Sequence, residues 1–233
     1  MATITLLKFS ISRNIDEVEK EMNKISSERY WIIAKKENQN VLKIIFNYRV
    51  SLEEELRKVL NISEIKNIFN GISTQLLTRN IIAYMHFDKE ILEVHRGIDY
   101  IFRFFIAVLE KHLRVKFVPY YISPQVLLNI VQNYSISLNQ IYFKFVNGFV
   151  FEMYKGKYLQ YSELIRSKLS ELKRNIRIIT VVPRIKFDSY LKSVTINGDK
   201  GTLKFFADNI SRNEILQIIN LIDFLTKNDL HRH

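Results

Sequence analysis

His86 and His95 flank Asp88 and Glu93 within one short stretch of this chain. Two imidazoles and two carboxylates at such spacing have the donor types of a divalent-metal site. Arg96, directly after His95, argues against it, because a fixed cation beside a metal raises the cost of binding. The same carboxylates also invite comparison with a restriction-type nuclease, which needs an acidic residue followed by Glu-x-Lys on the next strand to hold Mg²⁺ and orient water. Here the order is Asp88, then Glu93-Val94-His95; the lysine is missing and the spacing is short. Both residues are therefore expected to be ordinary hairpin residues, with no metal and no cofactor. His112 falls near a predicted helix C-terminus, and His231 and His233 fall in the terminal tail. Glu53-Glu54-Glu55 opens a predicted helix, where carboxylates compensate the dipole.

Other chemistries are excluded more firmly. The six glycines are unclustered, which leaves no phosphate-cradling loop of the Walker or dinucleotide type. No nucleophile elbow is present. Cysteine is absent, which removes disulfides, thiolate nucleophiles and cysteine-based metal centres. Its absence, with heavy use of Ile and Lys, suits a thermophile or an AT-rich genome, and the many Asn residues favour the second. An enzyme is not expected.

Basic residues are the surplus that needs a reason. Residues 1–110 carry 16 Lys+Arg against 15 Asp+Glu, whereas residues 111–233 carry 19 against 9. Between Lys144 and Lys204 the count is 13 against 5. Lys155, Lys157, Lys173, Arg174 and Arg177 flank a predicted helix at 158–172. Arg184 and Lys186 share one face of a predicted strand, because side chains two apart point the same way. Lys192, Lys200 and Lys204 lie on the last hairpin. Tyr142, Tyr154, Tyr158, Tyr161 and Tyr190 are interleaved with them. Lysine and arginine neutralise phosphates, and tyrosine stacks on bases. The expected site is thus a DNA- or RNA-binding patch of Lys155, Lys157, Lys173, Arg174, Arg177, Arg184, Lys186, Lys192 and Lys204 with Tyr158. A basic face for an acidic protein partner is the alternative, with the chain acting as an assembly subunit of a larger complex. An anionic membrane surface would attract the same charge, but no helix pairs a basic face with exposed bulky apolar residues.

The elements that must position these residues read as α+β, with antiparallel hairpins packed against helices. ATITLLKF (2–9) is a strand; a helix follows from Asn14 to about Ser26. Residues 29–36 and 40–49 form a hairpin around Glu37-Asn38-Gln39. Ser51-Leu52-Glu53-Glu54 has the capping-box pattern of a helix, and a second short helix runs from Ser63 to Asn70. A hairpin at 80–87 and 90–96 and a helix at 98–113 complete a first half, 1–113. The order then restarts in 114–233: strand 114–121, helix from Ser123-Pro124, hairpin 140–146 and 149–155 around Asn147-Gly148, helix 158–172, hairpin 190–196 and 202–207, and a helix opened by Ser211-Arg212-Asn213-Glu214. Strand 176–187 has no counterpart in the first half. The pattern predicts an internal duplication of strand, helix, hairpin, helix, hairpin, helix, with a near-neutral half for assembly and a basic half for the polyanion. The plan resembles the pseudo-symmetric saddle of TATA-box-binding proteins; the element order differs, and no site is carried over from it.

With 47% hydrophobic residues the chain has ample material for a core. No apolar run reaches the roughly 18 residues of a membrane span. MATITLLKFS reads as a strand rather than a signal peptide, so a cytoplasmic protein is expected.

Overall fold

The computed structural model describes residues 2–51, 76–95, 99–145, 151–170, 176–187, 190–206 and 210–230. The helix expected from the Ser51-Leu52-Glu53-Glu54 capping box to about Leu60, the one from Ser63 to Asn70 and the Asn147-Gly148 turn lie outside them, apart from Ser51 itself. The chain divides into two units, Phe9–Phe117, and Met1–Lys8 with Val118–His233. Strand β1 (Ala2–Lys8) opens the chain and differs from the expected partition. It belongs with the second unit, where it pairs with the last strand, Ala2 opposite Phe205 through Thr5 opposite Thr202.

The first unit is built on α1 (Ile15–Met22), β2 (Tyr30–Lys36), β3 (Val41–Ser51), β4 (Leu76–His86), β5 (Ile91–His95) and α2 (Asp99–Leu113). Asn14 caps α1 by accepting from the Glu17 amide, and Val18 and Met22 bury one helical stripe. The helix stops well short of Ser26 because the Asn23 side chain is taken by a strand. Its amide donates to the Ala34 carbonyl at 2.9 Å and accepts from the Ala34 N–H at 2.8 Å. The four strands pair antiparallel in the order β2-β3-β4-β5. Ile101, Phe105, Val108, Leu109 and Leu113 of α2 are buried, and the Phe105 ring meets Phe46 of β3 at 5.2 Å.

The second unit adds β6 (Val118–Pro119), α3 (Pro124–Asn129), which continues into a π-helical turn over Ile130–Tyr134, β7 (Ser137–Phe145), β8 (Phe151–Lys155), a 3₁₀ turn at Leu159–Tyr161, α4 (Glu163–Ser170), β9 (Ile176–Phe187), β10 (Tyr190–Asn197), β11 (Thr202–Phe205) and α5 (Arg212–Leu230). Its strands pair antiparallel in the order β1-β11-β10-β9-β7-β8, with β6 on β1. The strand expected over 114–121 shrinks to two residues. Arg114 adopts a positive φ, and Pro119 has no N–H with which to extend a ladder. β9, the strand without a counterpart, holds the middle of this sheet and pairs with both β7 and β10.

The two units share antiparallel hairpins and helices, so the mixed α+β class stands. Their strand orders differ. In the first unit the second strand of the leading hairpin, β3, joins the next strand; in the second unit the first strand, β7, does so. No helix among the described residues is long and apolar enough to cross a membrane.

A basic sheet face as candidate nucleic-acid interface

Strand register sorts the second unit's sheet into two faces. Val181, Ile185 and Phe187 of β9, Val194 and Ile196 of β10, Leu203 and Phe205 of β11, and Ile141 and Phe143 of β7 are buried on one. α5 covers this face: Ile215, Ile218, Ile219 and Ile222 bury its stripe, and Lys192, opposite Ile185, reaches Glu214 in its first turn at 2.6 Å. α4 covers the β7–β8 margin of the same face. Lys168 pairs with Glu152 at 2.5 Å and sits over the Phe145 and Tyr154 rings.

The opposite face reads quite differently. Arg184 lies opposite Ser193 and Ser137, Lys186 opposite Leu191, Lys204 between Thr3 and Thr195, Lys155 opposite Gln140, and Lys144 opposite Arg177. The strand positions between these cations hold Thr180, Val182, Tyr142, Asn197 and Thr202, and Asn197 donates to Thr180 Oγ1 at 2.9 Å. Among the described residues no strand position on this face holds a carboxylate. Asp199, in the β10–β11 turn, accepts from Arg177 at 3.3 Å. From Lys204 on β11 to Lys155 on β8 is four inter-strand steps of about 4.8 Å, a basic band roughly 19 Å wide.

A cleft of about 750 Å³ opens on this face. Lys155, Lys157, Tyr158 and Arg184 line it, with Asn139, Gln140, Ser193, Leu191 and Phe206. Gly156 N–H donates to the Asn139 carbonyl at 3.0 Å, which folds the 156–158 loop back over β7. Tyr158 has φ 57° and ψ 38°, the left-handed region that a bulky side chain rarely occupies. It presents its ring beside Tyr161, with centroids 6.5 Å apart and planes 30° from parallel, and the Arg166 guanidinium lies over Tyr161.

Lys155, Lys157, Tyr158 and Arg184 share the cleft; Lys186 and Lys204 lie on the same face. Arg177 is on that face but shared with Asp199. Lys192 is on the helix-covered face, held by Glu214, and is not part of the band. Lys173 and Arg174 lie outside the described residues. Lys144, Asn139, Ser193, Leu191 and Phe206 were not singled out from the sequence. Period-two alternation carries that signal for Lys144, Leu191, Ser193 and Phe206 once the neighbouring strands are known; Asn139 sits at a register shift between Leu138 and Gln140, which alternation does not foresee.

Electrostatics reinforce the division of the two faces. Burial alone would push the Glu214 carboxyl up, but Lys192 and the Ser211 backbone and hydroxyl donors outweigh it and hold it below the ordinary value. Lys168 and the Tyr154 hydroxyl likewise hold Glu152 down, and Glu152 holds Lys168 up. Glu214 and Glu152 on the helix-covered face are thus matched to cations, whereas on the opposite face Lys155, Arg184, Lys186 and Lys204 are exposed around the buried Thr180, Val182 and Thr202.

The histidine hairpin of the first unit makes a different constellation from the one the spacing suggests. Glu93 is fully buried; it accepts from His86 Nε2 at 3.0 Å and from His95 Nε2 at 2.7 Å, one imidazole per carboxylate oxygen. Both Nε2 atoms are thus engaged by the one carboxyl group. Asp88 is bonded instead to Lys89 at 2.6 Å. Among the described residues no group of three or more His, Cys, Asp or Glu side chains is arranged to hold a metal ion.

No protein-family model matches the chain. No curated protein sequence matches it at a significant level.

Proposed function

We propose that this chain is a non-enzymatic nucleic-acid-binding protein of the cytoplasm, which holds the phosphate backbone on the open sheet face of its second unit. One observation carries the reading: Lys144, Lys155, Arg184, Lys186 and Lys204 share a face whose described strand positions hold no carboxylate. A solubilising surface would mix both signs, as the helix-covered side does with Lys192–Glu214 and Lys168–Glu152. In this reading the two halves descend from one duplicated unit, and the first half serves assembly.

The test is fluorescence anisotropy with DNA and RNA across a salt series. Log affinity falls linearly with log salt, by about 0.9 per neutralised phosphate on duplex DNA and about 0.7 on a single strand. Replacing Lys155, Lys157 and Arg184 together by Ala reduces that slope by about 2 to 3. No binding to DNA or RNA at ~50 mM salt, or an unchanged slope in the triple variant, rejects the reading.

An assembly subunit is the second reading, favoured by exposed Ile33 and Phe104 on the first unit. It requires a stable protein complex burying at least ~1,000 Å² there, with affinity indifferent to the Lys155, Lys157 and Arg184 substitutions.

A further inference from the structure

We infer that the Tyr158–Phe206 cleft takes single-stranded nucleic acid, with bases stacked on its rings; this rests on the polyanion reading above and names its substrate class. Phe206 and Tyr158 are 56% and 54% exposed, and both line the cleft that Lys155, Lys157 and Arg184 also line. Phosphate contacts alone give no reason for bulky rings in water at that place. Exposed single aromatics are common on protein surfaces, but these two border one concavity whose volume falls in the ~300–1,000 Å³ range of ligand clefts.

Duplex geometry does not use such rings. In a duplex each base face is covered by its neighbours, and only base edges line the grooves. Rings on a sheet would then meet sugars and phosphates and stay wet. In a single strand the bases can splay, and each offers a π-face to an aromatic side chain while the backbone runs over nearby cations. The cleft has both parts. It also has Asn139 and Ser193, joined by an Asn139 Nδ2 to Ser193 Oγ hydrogen bond of 3.3 Å, whose remaining donors and acceptors suit base edges.

The backbone at Tyr158 adds a second observation. A left-handed conformation at a tyrosine costs on the order of 1 kcal/mol and persists where the surroundings impose it. Here the conformation sets Tyr158 against Tyr161, itself under Arg166. A base laid on the exposed side of Tyr158 meets a ring already held beside Tyr161, so little side-chain freedom is lost on binding.

The experiment compares labelled oligo(dT) and oligo(U) of about 16 nucleotides with a duplex of equal length, using the full chain, Phe206→Ala, Tyr158→Ala and Tyr158→Phe. The expected result is tighter binding of the single strands. Phe206→Ala and Tyr158→Ala each lose about tenfold for them, Tyr158→Phe keeps affinity, and all four proteins melt alike. Equal or tighter duplex binding, or single-strand affinity untouched by Phe206→Ala and Tyr158→Ala, overturns the assignment and leaves the polyanion reading standing. Absence of binding to any of the three probes at ~50 mM salt removes both.

Discussion

Lys192 and Arg184 stand on neighbouring strands and point to opposite faces of one sheet. Ser193 pairs with Arg184, so Lys192, one position earlier, pairs with Ile185 on the buried side. Counting charges along the chain treats the two alike; one residue of register separates a structural ion pair from a free cation. Lys192→Ala is therefore expected to lower the melting temperature by a few degrees, through a loss of about 1–2 kcal/mol, while the salt slope of nucleic-acid binding stays as in wild type. Glu214 gives the pH counterpart. Its carboxyl titrates below the ordinary 4.5 in the folded chain, so the folded state takes up a proton less readily than the unfolded one. The stability it contributes is present at neutral pH and is lost as pH falls below about 4.5 through the folded value. Chemical denaturation of Glu214→Gln should show a deficit at pH 7 that narrows with acid. In the first unit, Glu93→Ala leaves the buried His86 imidazole without its carboxyl partner, while the part-exposed His95 can turn to water; a loss of roughly 1–3 kcal/mol in urea unfolding is expected.

At the scale of elements, caps and turns decide where strands and helices may lie. Ser211 and Glu214 form the reciprocal capping box at the start of α5: Ser211 N–H donates to Glu214 Oε2 at 2.8 Å, and Glu214 N–H donates to Ser211 Oγ at 3.2 Å. That signal was legible as a four-residue pattern, because capping is local. The length of α1 was not, since the Asn23 amide that ends it bonds to Ala34 on a strand still to come. The β10–β11 turn shows both kinds of information. Its glycines mark a hairpin, yet the reason for Gly201 is tertiary. Its φ is +57°, and a Cβ there would lie 2.5 Å from the Tyr120 carbonyl and 2.7 Å from that of Leu6. Gly201→Ala should destabilise the chain by more than the ~1 kcal/mol of the φ penalty alone, read from the thermal midpoint, because the backbone at Tyr120 and at Leu6 of β1 must both give way. Loss of binding in that variant would follow loss of fold.

For the whole molecule, composition and periodicity determined the α+β class, the antiparallel hairpins, the cap positions and the basic excess of residues 144–204, because each depends on residues close in the chain. Arg184 and Lys186 were legible as one face for the same reason. Three matters were decided only in three dimensions. β1 left the half in which the chain order puts it, since a strand pairs with whichever edge offers N–H and C=O groups, and β11 offers them. β9 became the centre of a sheet rather than an addition to it. The excess charge was divided: Lys192 and Lys168 went to carboxylates beneath helices, while Lys155, Arg184, Lys186 and Lys204 came together on the open side. Local sequence sets which way a side chain points relative to its own strand. Which strand lies next to it, and hence which charges become neighbours and which rings border a cleft, is set by pairings between segments far apart in the chain, and those exist only once it has folded.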